Sequence, residues 1–324
     1  MFSAADLDQA ETIVREALPP TPQICWPQLS ARLGTELWVK HENHTPVGAF
    51  KIRGGLVYMK NRRASAAPLK GIVSATRGNH GQSLAFAGQR HGISVTIVVP
   101  EGNCPEKNAA MRALGARLVE SGKDFDEARS VAAELAEREG LESVPSFHPH
   151  LVTGVATYAK EFFAAQPDLD VVYAPIGMGS GICGLIRTRD LMGLSTQIVG
   201  VVTKGAPAYA LSYEAGRVIS TEKAETLADG MACRQPMDEA LEMVRAGAER
   251  MVTLEEEEIA DAIRAYYTDT HNLAEGAGAA PLAAALQERD RLAGKKVGVV
   301  LSGGNIARDL LVRLLSREET PRAA

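Results

Sequence analysis

The sequence lacks the features that mark membrane, secreted and nucleic-acid-binding proteins. It has no apolar run of about 18 residues or more, which a transmembrane helix needs. Its four cysteines show no paired spacing, and residues 1–18 lack the basic start and apolar centre of a secretory signal. A formal net charge of −5 gives no attraction to nucleic acid or to an anionic membrane surface. We therefore expect a cytoplasmic protein with free thiols whose partner is a small molecule, with neither nucleic acid nor membrane as a partner.

What the sequence does contain is an alternation of short apolar runs and amphipathic stretches, which predicts strands that alternate with helices. Such an alternation favours an α/β fold with mostly parallel, twisted sheets flanked by helices. The length of 324 residues suits two domains. Because 71–148 is a compact run of such units after a polar segment, we predict that it is a small domain inserted into a larger one, made of 1–70 and 149–324.

The pattern also predicts individual elements. The predicted strands lie at 36–41, 71–75, 95–99, 116–120, 171–176, 197–203 and 296–301. The predicted helices lie at 4–18, 53–62, 83–91, 108–114, 124–139, 152–165, 254–269 and 277–292, with further helices ending at Met192 and following Asn305. Thr253 and Glu256 have the spacing of a capping box at the start of the 254–269 helix.

One lysine has unusual neighbours. Lys51 lies between Phe50 and Ile52, and apolar neighbours remove water from an ammonium group and lower its pKa. A neutral amine is a nucleophile that condenses with carbonyl groups. Three glycine-rich stretches, at 76–82, 177–184 and 302–305, each follow a predicted strand. Together, the lysine and these stretches suit a cofactor that is phosphorylated and aromatic and that carries a carbonyl group.

The 177–181 stretch joins a predicted strand to a predicted helix, where backbone N–H groups and the helix dipole favour phosphate. Glycine there lets an anion come close to the backbone. A second interpretation is a dinucleotide site, because Gly179, Gly181 and Gly184 match the GxGxxG pattern. That pattern requires an acidic residue at the end of the next strand, where this sequence has Thr203. The phosphate of another cofactor is therefore the better interpretation.

Four motifs in order, AFKIRGG, TRGNHGQ, GMGSG and SGGN, resemble those of the serine/threonine dehydratase and serine racemase family of fold type II pyridoxal-phosphate enzymes. Each motif alone is weak, but the four occur in this order at compatible distances over residues 21–305. The resemblance implies a two-domain fold like that of the tryptophan synthase β subunit. It also implies pyridoxal 5'-phosphate as the cofactor, a homodimer as the assembly, and Lys51 as the residue that binds the cofactor and acts as the catalytic base.

The resemblance assigns further residues by position. The cofactor-binding set would be Phe50, Lys51, Asn79, Gly177, Met178, Gly179, Ser180, Gly181 and Ser302. The substrate-binding set, which would grip the substrate carboxylate, would be Thr76, Arg77, Gly78, Asn79 and His80. Asn79 would contact the phenolic oxygen of the cofactor, and Ser302 would face its pyridine nitrogen. A neutral hydroxyl at that nitrogen favours prompt loss of a β-leaving group over a long-lived carbanion.

One position departs from the serine racemases that this loop resembles. They have a serine before the Gly-Asn pair, which acts as a second acid/base, whereas this sequence has Arg77. A guanidinium stays charged near neutral pH and is a poor proton shuttle. Two interpretations of Arg77 stay open: it binds an anionic group of the substrate, or it points to solvent. The 153–157 segment also replaces the family's more usual GQGT motif, which leaves the choice of substrate open.

The resulting expectation is a pyridoxal-phosphate-dependent dehydratase, an ammonia-lyase that converts a 3-hydroxy amino acid such as threonine or serine into a 2-oxo acid and ammonia. The alternatives on the same cofactor are an amino-acid racemase, a β-replacement enzyme, and a dehydratase for phenylserine or 3-hydroxyaspartate. An amino-acid sensor without turnover is disfavoured by an intact Lys51. The 225–229 segment resembles one that holds a divalent cation in some relatives, so Glu225 and Asp229 are candidate ligands of Mg²⁺ or Ca²⁺.

Overall fold

The computed structural model describes residues 1–65 and 67–316, in which strands and helices alternate along the chain. The strands are β1 (Gln23–Cys25), β2 (Leu37–His41), β3 (Ile72–Ala75), β4 (Val95–Val99), β5 (Arg117–Glu120), β6 (Glu142–Ser143), β7 (Val171–Pro175), β8 (Gln197–Thr203), β9 (Arg250–Leu254) and β10 (Val297–Leu301). The helices are α1 (Ala4–Arg15), α2 (Pro27–Leu33), α3 (Lys51–Ala64), α4 (Asn79–His91), α5 (Pro105–Ala113), α6 (Phe125–Glu139), α7 (Pro149–Ala165), α8 (Ser180–Leu191), α9 (Ala208–Ala215), α10 (Asp238–Gly247), α11 (Glu256–Thr270), α12 (Gly276–Gln287) and α13 (Arg308–Leu315). Short 3-10 helices span Asp229–Met231 and Arg289–Leu292.

The contacts of the backbone divide the described chain into two compact units. The first unit comprises Met1–Pro19 and Thr45–Thr157, and the second comprises Pro20–His44 and the described residues from Tyr158 onward. These boundaries differ from the predicted ones, because the first unit extends the predicted small domain of 71–148 in both directions and also contains α1. The division into a large and an inserted small domain stays a prediction.

The first unit contains a four-stranded parallel sheet in the order β5-β4-β3-β6. Its central strands β3 and β4 are buried along their whole length, as expected for strands covered on both faces. A Cβ on Gly55 of α3 would lie 2.3 Å from the hydroxyl oxygen of Ser83 in α4. A Cβ on Gly54 would lie 2.7 Å from the backbone oxygen of Leu151 in α7. The glycines of α3 thus allow close packing on α4 and α7, which fixes the helix that begins at Lys51.

The second unit contains a six-stranded sheet in the order β1-β2-β10-β7-β8-β9. β1 pairs with β2 in the antiparallel sense, and the other pairs are parallel. α12, which is rich in alanine and almost fully buried, packs on β7, β8, β9 and β10. Because β2, β10 and β7 are parallel neighbours, the residues that follow them, Glu42, Ser302 and Ile176, leave the sheet at one edge. Ligands of open α/β sheets bind at this carboxyl edge.

The predicted strands are all present, with small shifts at their ends. Several short elements were not predicted, among them β1, α2 and β9. The predicted capping box is wrong, because Thr253 lies in β9 and the N-cap of α11 is Glu255, whose backbone N–H donates to the Glu258 carboxylate at 2.8 Å. Among the described helices, none is both long and apolar enough to cross a membrane.

Candidate functional site

Lys51 is the first residue of α3, and its amine lies beside an aromatic ring. Its Nζ lies 4.9 Å from the centroid of the Phe50 ring. Burial lowers the pKa of Lys51 to about 8, so about a tenth of the amine is neutral at pH 7. Ser83 in α4 donates its hydroxyl hydrogen to the backbone oxygen of Lys51 at 2.6 Å. The lysine is therefore a partly neutral amine at the start of a well-packed helix, and such an amine can attack a carbonyl group.

The 76–80 turn joins β3 to α4 in the same unit as Lys51. Thr76 is buried, and its backbone N–H donates to the oxygen of Val98 at 3.0 Å. The Thr76 hydroxyl oxygen accepts the backbone N–H of Gly78 at 3.2 Å. Asn79 opens α4, and the N-cap of this helix is Gly78, which has no side chain. A helix start with a glycine N-cap lets an anion such as a carboxylate come close to the backbone N–H groups.

His80 lies in the first turn of α4 and is buried. Its Nε2 has no hydrogen-bond partner among the residues that the structure describes. Burial and, to a smaller extent, the charge of Lys51 lower the pKa of His80 to about 3, so the ring is neutral. Because the charge of Lys51 acts on His80, the two side chains lie near each other within the first unit. Arg77, by contrast, is exposed, which favours the second of its two interpretations.

The 177–181 turn follows β7 in the second unit and leads into α8. A Cβ on Gly177 would lie 2.2 Å from the backbone oxygen of Gly230, so a larger residue would require the backbone to move. Gly179 has a φ of 97°, a left-handed conformation that glycine adopts without strain. The N-cap of α8 is Gly179, which has no side chain. A glycine-rich turn that leads into the start of a helix is the arrangement that binds phosphate in many proteins.

Ser302 follows β10 and is 3% exposed. The strand end before it is held on one side by Glu42, whose backbone N–H donates to the oxygen of Leu301 at 3.0 Å. After Ser302 in the chain, the backbone oxygen of Gly303 accepts the backbone N–H of Glu275 at 3.1 Å. The Ser302 hydroxyl is therefore a buried neutral group at the carboxyl edge of the second sheet.

Each of these groups has the chemistry that suits one part of pyridoxal phosphate. The Lys51 amine suits an aldehyde, since burial lowers its pKa to about 8. The turn at Gly177 and Gly179 suits a phosphate, since Gly177 packs against the backbone of Gly230, Gly179 has a positive φ, and glycine lets an anion approach the backbone. The neutral hydroxyl of Ser302 can form a hydrogen bond with a pyridine nitrogen.

The candidate cation ligands do not form a metal site. Among the described residues, no group of three or more His, Cys, Asp or Glu side chains is placed to hold a metal ion. The Glu225 carboxylate is exposed and lies 3.2 Å from Nζ of Lys223, and Asp229 begins a 3-10 helix. The predicted divalent cation at Glu225 and Asp229 is therefore not supported, because a hard cation needs several convergent oxygen ligands.

Sequence reasoning missed two tyrosines beside the 177–181 turn. Tyr209 in α9 donates its hydroxyl hydrogen to the backbone oxygen of Met178 at 3.1 Å. Tyr158 in α7 donates to the backbone oxygen of Gly181, also at 3.1 Å. The partners are 31 and 23 residues apart in the chain, so no local sequence pattern indicates these contacts.

The chain is similar to known proteins in sequence and in structure. Residues 14–303 match the family described as pyridoxal-phosphate dependent enzyme. The chain is 36% identical to the L-threonine ammonia-lyase of Thermotoga maritima over 98% of this chain and 79% of that protein. It is 37% identical to the L-threonine ammonia-lyase of Geobacter sulfurreducens over 93% of this chain and 75% of that protein. The solved structure of the processed form of threonine deaminase isoform 2 from Solanum lycopersicum matches with a TM-score of 0.89 at 31% identity, over 97% of this chain and 88% of that chain.

Proposed function

This chain belongs to the pyridoxal-phosphate dependent enzyme family, and from that premise we propose that it is an ammonia-lyase that converts L-threonine into 2-oxobutanoate and ammonia by α,β-elimination. The family match and the two similar L-threonine ammonia-lyases support the proposal, and they make the chain a pyridoxal-phosphate-dependent lyase of the dehydratase type. The observation in the structure that carries it is the half-buried Lys51, whose pKa is lowered to about 8 by desolvation.

Lys51 has two tasks in this proposal. Pyridoxal phosphate, when bound, supplies an electron sink for the electron pair that remains on Cα when the α-proton leaves. Nζ of Lys51 would hold the cofactor aldehyde, with the Phe50 ring against the lysine side chain. Once the substrate amine had replaced Lys51 at the aldehyde, the freed nitrogen would take the α-proton of the substrate, because an amine with a pKa of about 8 accepts a proton near neutral pH. The hydroxyl group would leave from Cβ, and water would hydrolyse the released enamine to the 2-oxo acid and ammonia.

The 76–80 turn would bind the substrate carboxylate. Its support is the start of α4 behind the N-cap glycine Gly78, where backbone N–H groups and the helix dipole favour a negative charge. Thr76 shapes the turn by accepting the N–H of Gly78. His80 adds a neutral, buried ring near Lys51. Nε2 of this ring has no hydrogen-bond partner within the described part of the chain. Asn79 would contact the phenolic oxygen of the cofactor, which the resemblance to the family supports.

The 177–181 turn would bind the cofactor phosphate. The backbone of Gly177, Met178, Gly179, Ser180 and Gly181 would surround it, which the close packing of Gly177 and the left-handed φ of Gly179 support. Ser302 would bind the pyridine nitrogen through a hydroxyl that is neutral. Because a neutral partner does not keep that nitrogen protonated, the ring is a weaker electron sink, which favours loss of the β-hydroxyl over reversible proton exchange at Cα.

The test is a substrate panel on the purified holoenzyme. L-threonine, L-serine, phenylserine and 3-hydroxyaspartate are compared by kcat/KM for release of 2-oxo acid and ammonia, and the recovered substrate is analysed for inversion at Cα. We expect L-threonine to give the highest kcat/KM, with equal amounts of 2-oxobutanoate and ammonia and little inverted substrate. A protein that cannot be reconstituted with pyridoxal phosphate, or one that mainly inverts its substrate, would overturn the proposal.

The assembly and the compartment are proposed as well. The resemblance to the family supports a homodimer, and the absence of paired cysteine spacing in the sequence supports the cytoplasm. Light scattering coupled to size exclusion would measure the mass of the assembly against the chain mass of 34.5 kDa. Fractionation of the native cells would locate the protein.

A further inference from the structure

Two buried tyrosines hold the carbonyl side of the 177–181 turn. Tyr209 and Tyr158 are each 1% exposed. The Tyr209 hydroxyl donates to the backbone oxygen of Met178 at 3.1 Å. The Tyr158 hydroxyl donates to the backbone oxygen of Gly181 at the same distance, 3.1 Å. Both hydroxyls thus end on peptide groups of the turn, although they come from different helices.

These contacts set the direction of the peptide N–H groups. A trans peptide unit points its C=O and its N–H in opposite directions, and the described chain contains no cis peptide bond. Because Tyr209 holds the C=O of Met178 towards itself, the N–H of Gly179 points away from Tyr209. The hydroxyl of Tyr158 has the same effect on the N–H of Ile182. Both N–H groups belong to the start of α8, where an anion is favoured.

Neighbouring atoms prevent the 177–181 turn from moving towards Tyr209. A Cβ on Gly179 would lie 2.8 Å from the Tyr209 hydroxyl oxygen and 2.9 Å from Cβ of Ala240. Next to it, Sγ of Cys233 lies 3.9 Å from Sδ of Met178. Protein therefore packs directly against the backbone on this side of the turn. Loss of the Tyr209 hydroxyl would leave the Met178 carbonyl without this donor and would free its peptide unit to rotate.

Tyr209 acts as an uncharged donor at physiological pH. Burial raises the pKa of its hydroxyl well above the ordinary value, with smaller contributions from Cys233 and Cys183. A neutral hydroxyl on the far side of the turn adds no charge to the anion site. Its effect on a bound anion would therefore come from the orientation of the backbone.

We propose that Tyr209 and Tyr158 are positioning residues for the cofactor phosphate: they orient the backbone N–H groups of Gly179 and Ile182, at the start of α8, without touching the cofactor. This inference rests on the proposed function, because it takes that turn as the phosphate site. It goes beyond assigning the turn to the phosphate. It predicts that removal of either tyrosine hydroxyl weakens binding only when the ligand carries a phosphate.

The test compares two ligands on two matched variants. Apo-protein of Tyr209→Phe is titrated with pyridoxal 5'-phosphate and, separately, with pyridoxal, which lacks the phosphate. We expect the affinity for pyridoxal 5'-phosphate to fall about tenfold, since one hydrogen bond orients the turn, and the affinity for pyridoxal to stay within about twofold. The ³¹P resonance of the bound cofactor should also shift. The control is Tyr266→Phe, because Tyr266 is fully buried in the same unit and its hydroxyl has no partner within the described residues.

The outcomes separate this inference from the proposed function. Equal losses for both ligands in Tyr209→Phe, or no loss for either, would overturn the positioning role while the cofactor assignment stands. Wild-type protein that binds neither ligand would overturn the proposed function and this inference with it. If Tyr209→Phe does not fold, as judged by its melting temperature, Tyr158→Phe gives the same comparison through the Gly181 carbonyl.

Discussion

The turns that open α4 and α8 share a plan but differ in their surroundings. Each follows the carboxyl end of a parallel strand and has a glycine as the N-cap of its helix. The 177–181 turn is packed through its backbone, with Gly177 against the backbone oxygen of Gly230. The 76–80 turn carries polar side chains, and the three atoms nearest to a Cβ on its Gly78 belong to the side chain of Lys107, with Cδ nearest at 2.7 Å.

The difference indicates two ways of binding an anion. A backbone turn recognises charge and shape, so it suits a phosphate that is the same in every catalytic cycle. A turn with polar side chains can discriminate between ligands, so it suits a substrate. Changes of residue size should therefore damage the 177–181 turn most, whereas changes of side-chain chemistry should damage the 76–80 turn most.

The largest effect is expected from Lys51→Met, which removes the amine and leaves both turns intact. We expect kcat/KM for L-threonine to fall by about 1,000-fold or more, because the proton acceptor is lost. The absorption band of the lysine-bound cofactor should disappear, while the 177–181 turn should still give measurable non-covalent binding of pyridoxal phosphate in a fluorescence titration.

The matched control is Lys60→Met on the same helix, since the side chain of Lys60 is partly exposed and pairs with Glu16 at 3.3 Å. Its kcat/KM should stay within about twofold of the wild type. If Lys51→Met kept its activity, Lys51 would not be the catalytic base, and the proposed function would be overturned.

The comparison of the turns is tested next by Gly177→Ala against Gly78→Ala. In Gly177→Ala the new methyl group meets the backbone oxygen of Gly230 at 2.2 Å, so the turn must shift. Overpacking of this kind should weaken the binding of pyridoxal phosphate about 100-fold, as measured by titration of the apo-protein. In Gly78→Ala the methyl group meets a flexible lysine side chain, and the cofactor affinity should stay within about threefold. Equal effects of the two changes would show that the turns do not differ in the way proposed.

The pH dependence of cofactor binding separates the lysine from the phosphate turn. The pKa of Lys51 is lowered to about 8, and only the neutral amine reacts with the aldehyde. The association rate with apo-protein should therefore rise about tenfold per pH unit below pH 8 and level off above it. Pyridoxal and pyridoxal phosphate should share this profile, because the amine step is common to both. A rate that keeps rising towards pH 10 would contradict the lowered pKa.

Much of the fold that carries this candidate site could be predicted from the sequence, because the signals of its strands are local. Apolar runs such as Val95–Val99 and Gln197–Thr203 are observed as strands over the predicted residues. The predicted box at Thr253 failed because an apolar strand, β9, extends into the start of a glutamate-rich helix, where several spacings fit the same pattern. The tyrosine contacts to Met178 and Gly181 depend on chain segments that meet only after folding, so no local pattern could reveal them.

A smaller effect, confined to the binding of the substrate, is expected from Thr76→Val. The change keeps the shape of the side chain and removes the oxygen that accepts the Gly78 N–H at 3.2 Å. Loss of one such bond should loosen the 76–80 turn and raise KM for L-threonine several-fold, about fivefold, with the cofactor affinity unchanged. Steady-state kinetics and a cofactor titration measure the two quantities on the same preparation. A loss of cofactor affinity as large as the rise in KM would remove the distinction between the turns. Thr12→Val is the control, because its hydroxyl donates within α1 to the backbone oxygen of Asp8 at 3.1 Å.

The smallest effect is expected at Arg77, the exposed member of the 76–80 turn. Because a solvated guanidinium contributes little to a nearby site, Arg77→Gln should leave kcat/KM for L-threonine within about twofold. The same variant is then assayed with 3-hydroxyaspartate, whose second carboxylate would be the partner of a guanidinium. A loss confined to 3-hydroxyaspartate, with Arg77→Lys restoring part of the rate, would mean that Arg77 selects anionic substrates. Equal rates of the variant and the wild type on both substrates would leave recognition to the buried part of the turn, Thr76 and His80.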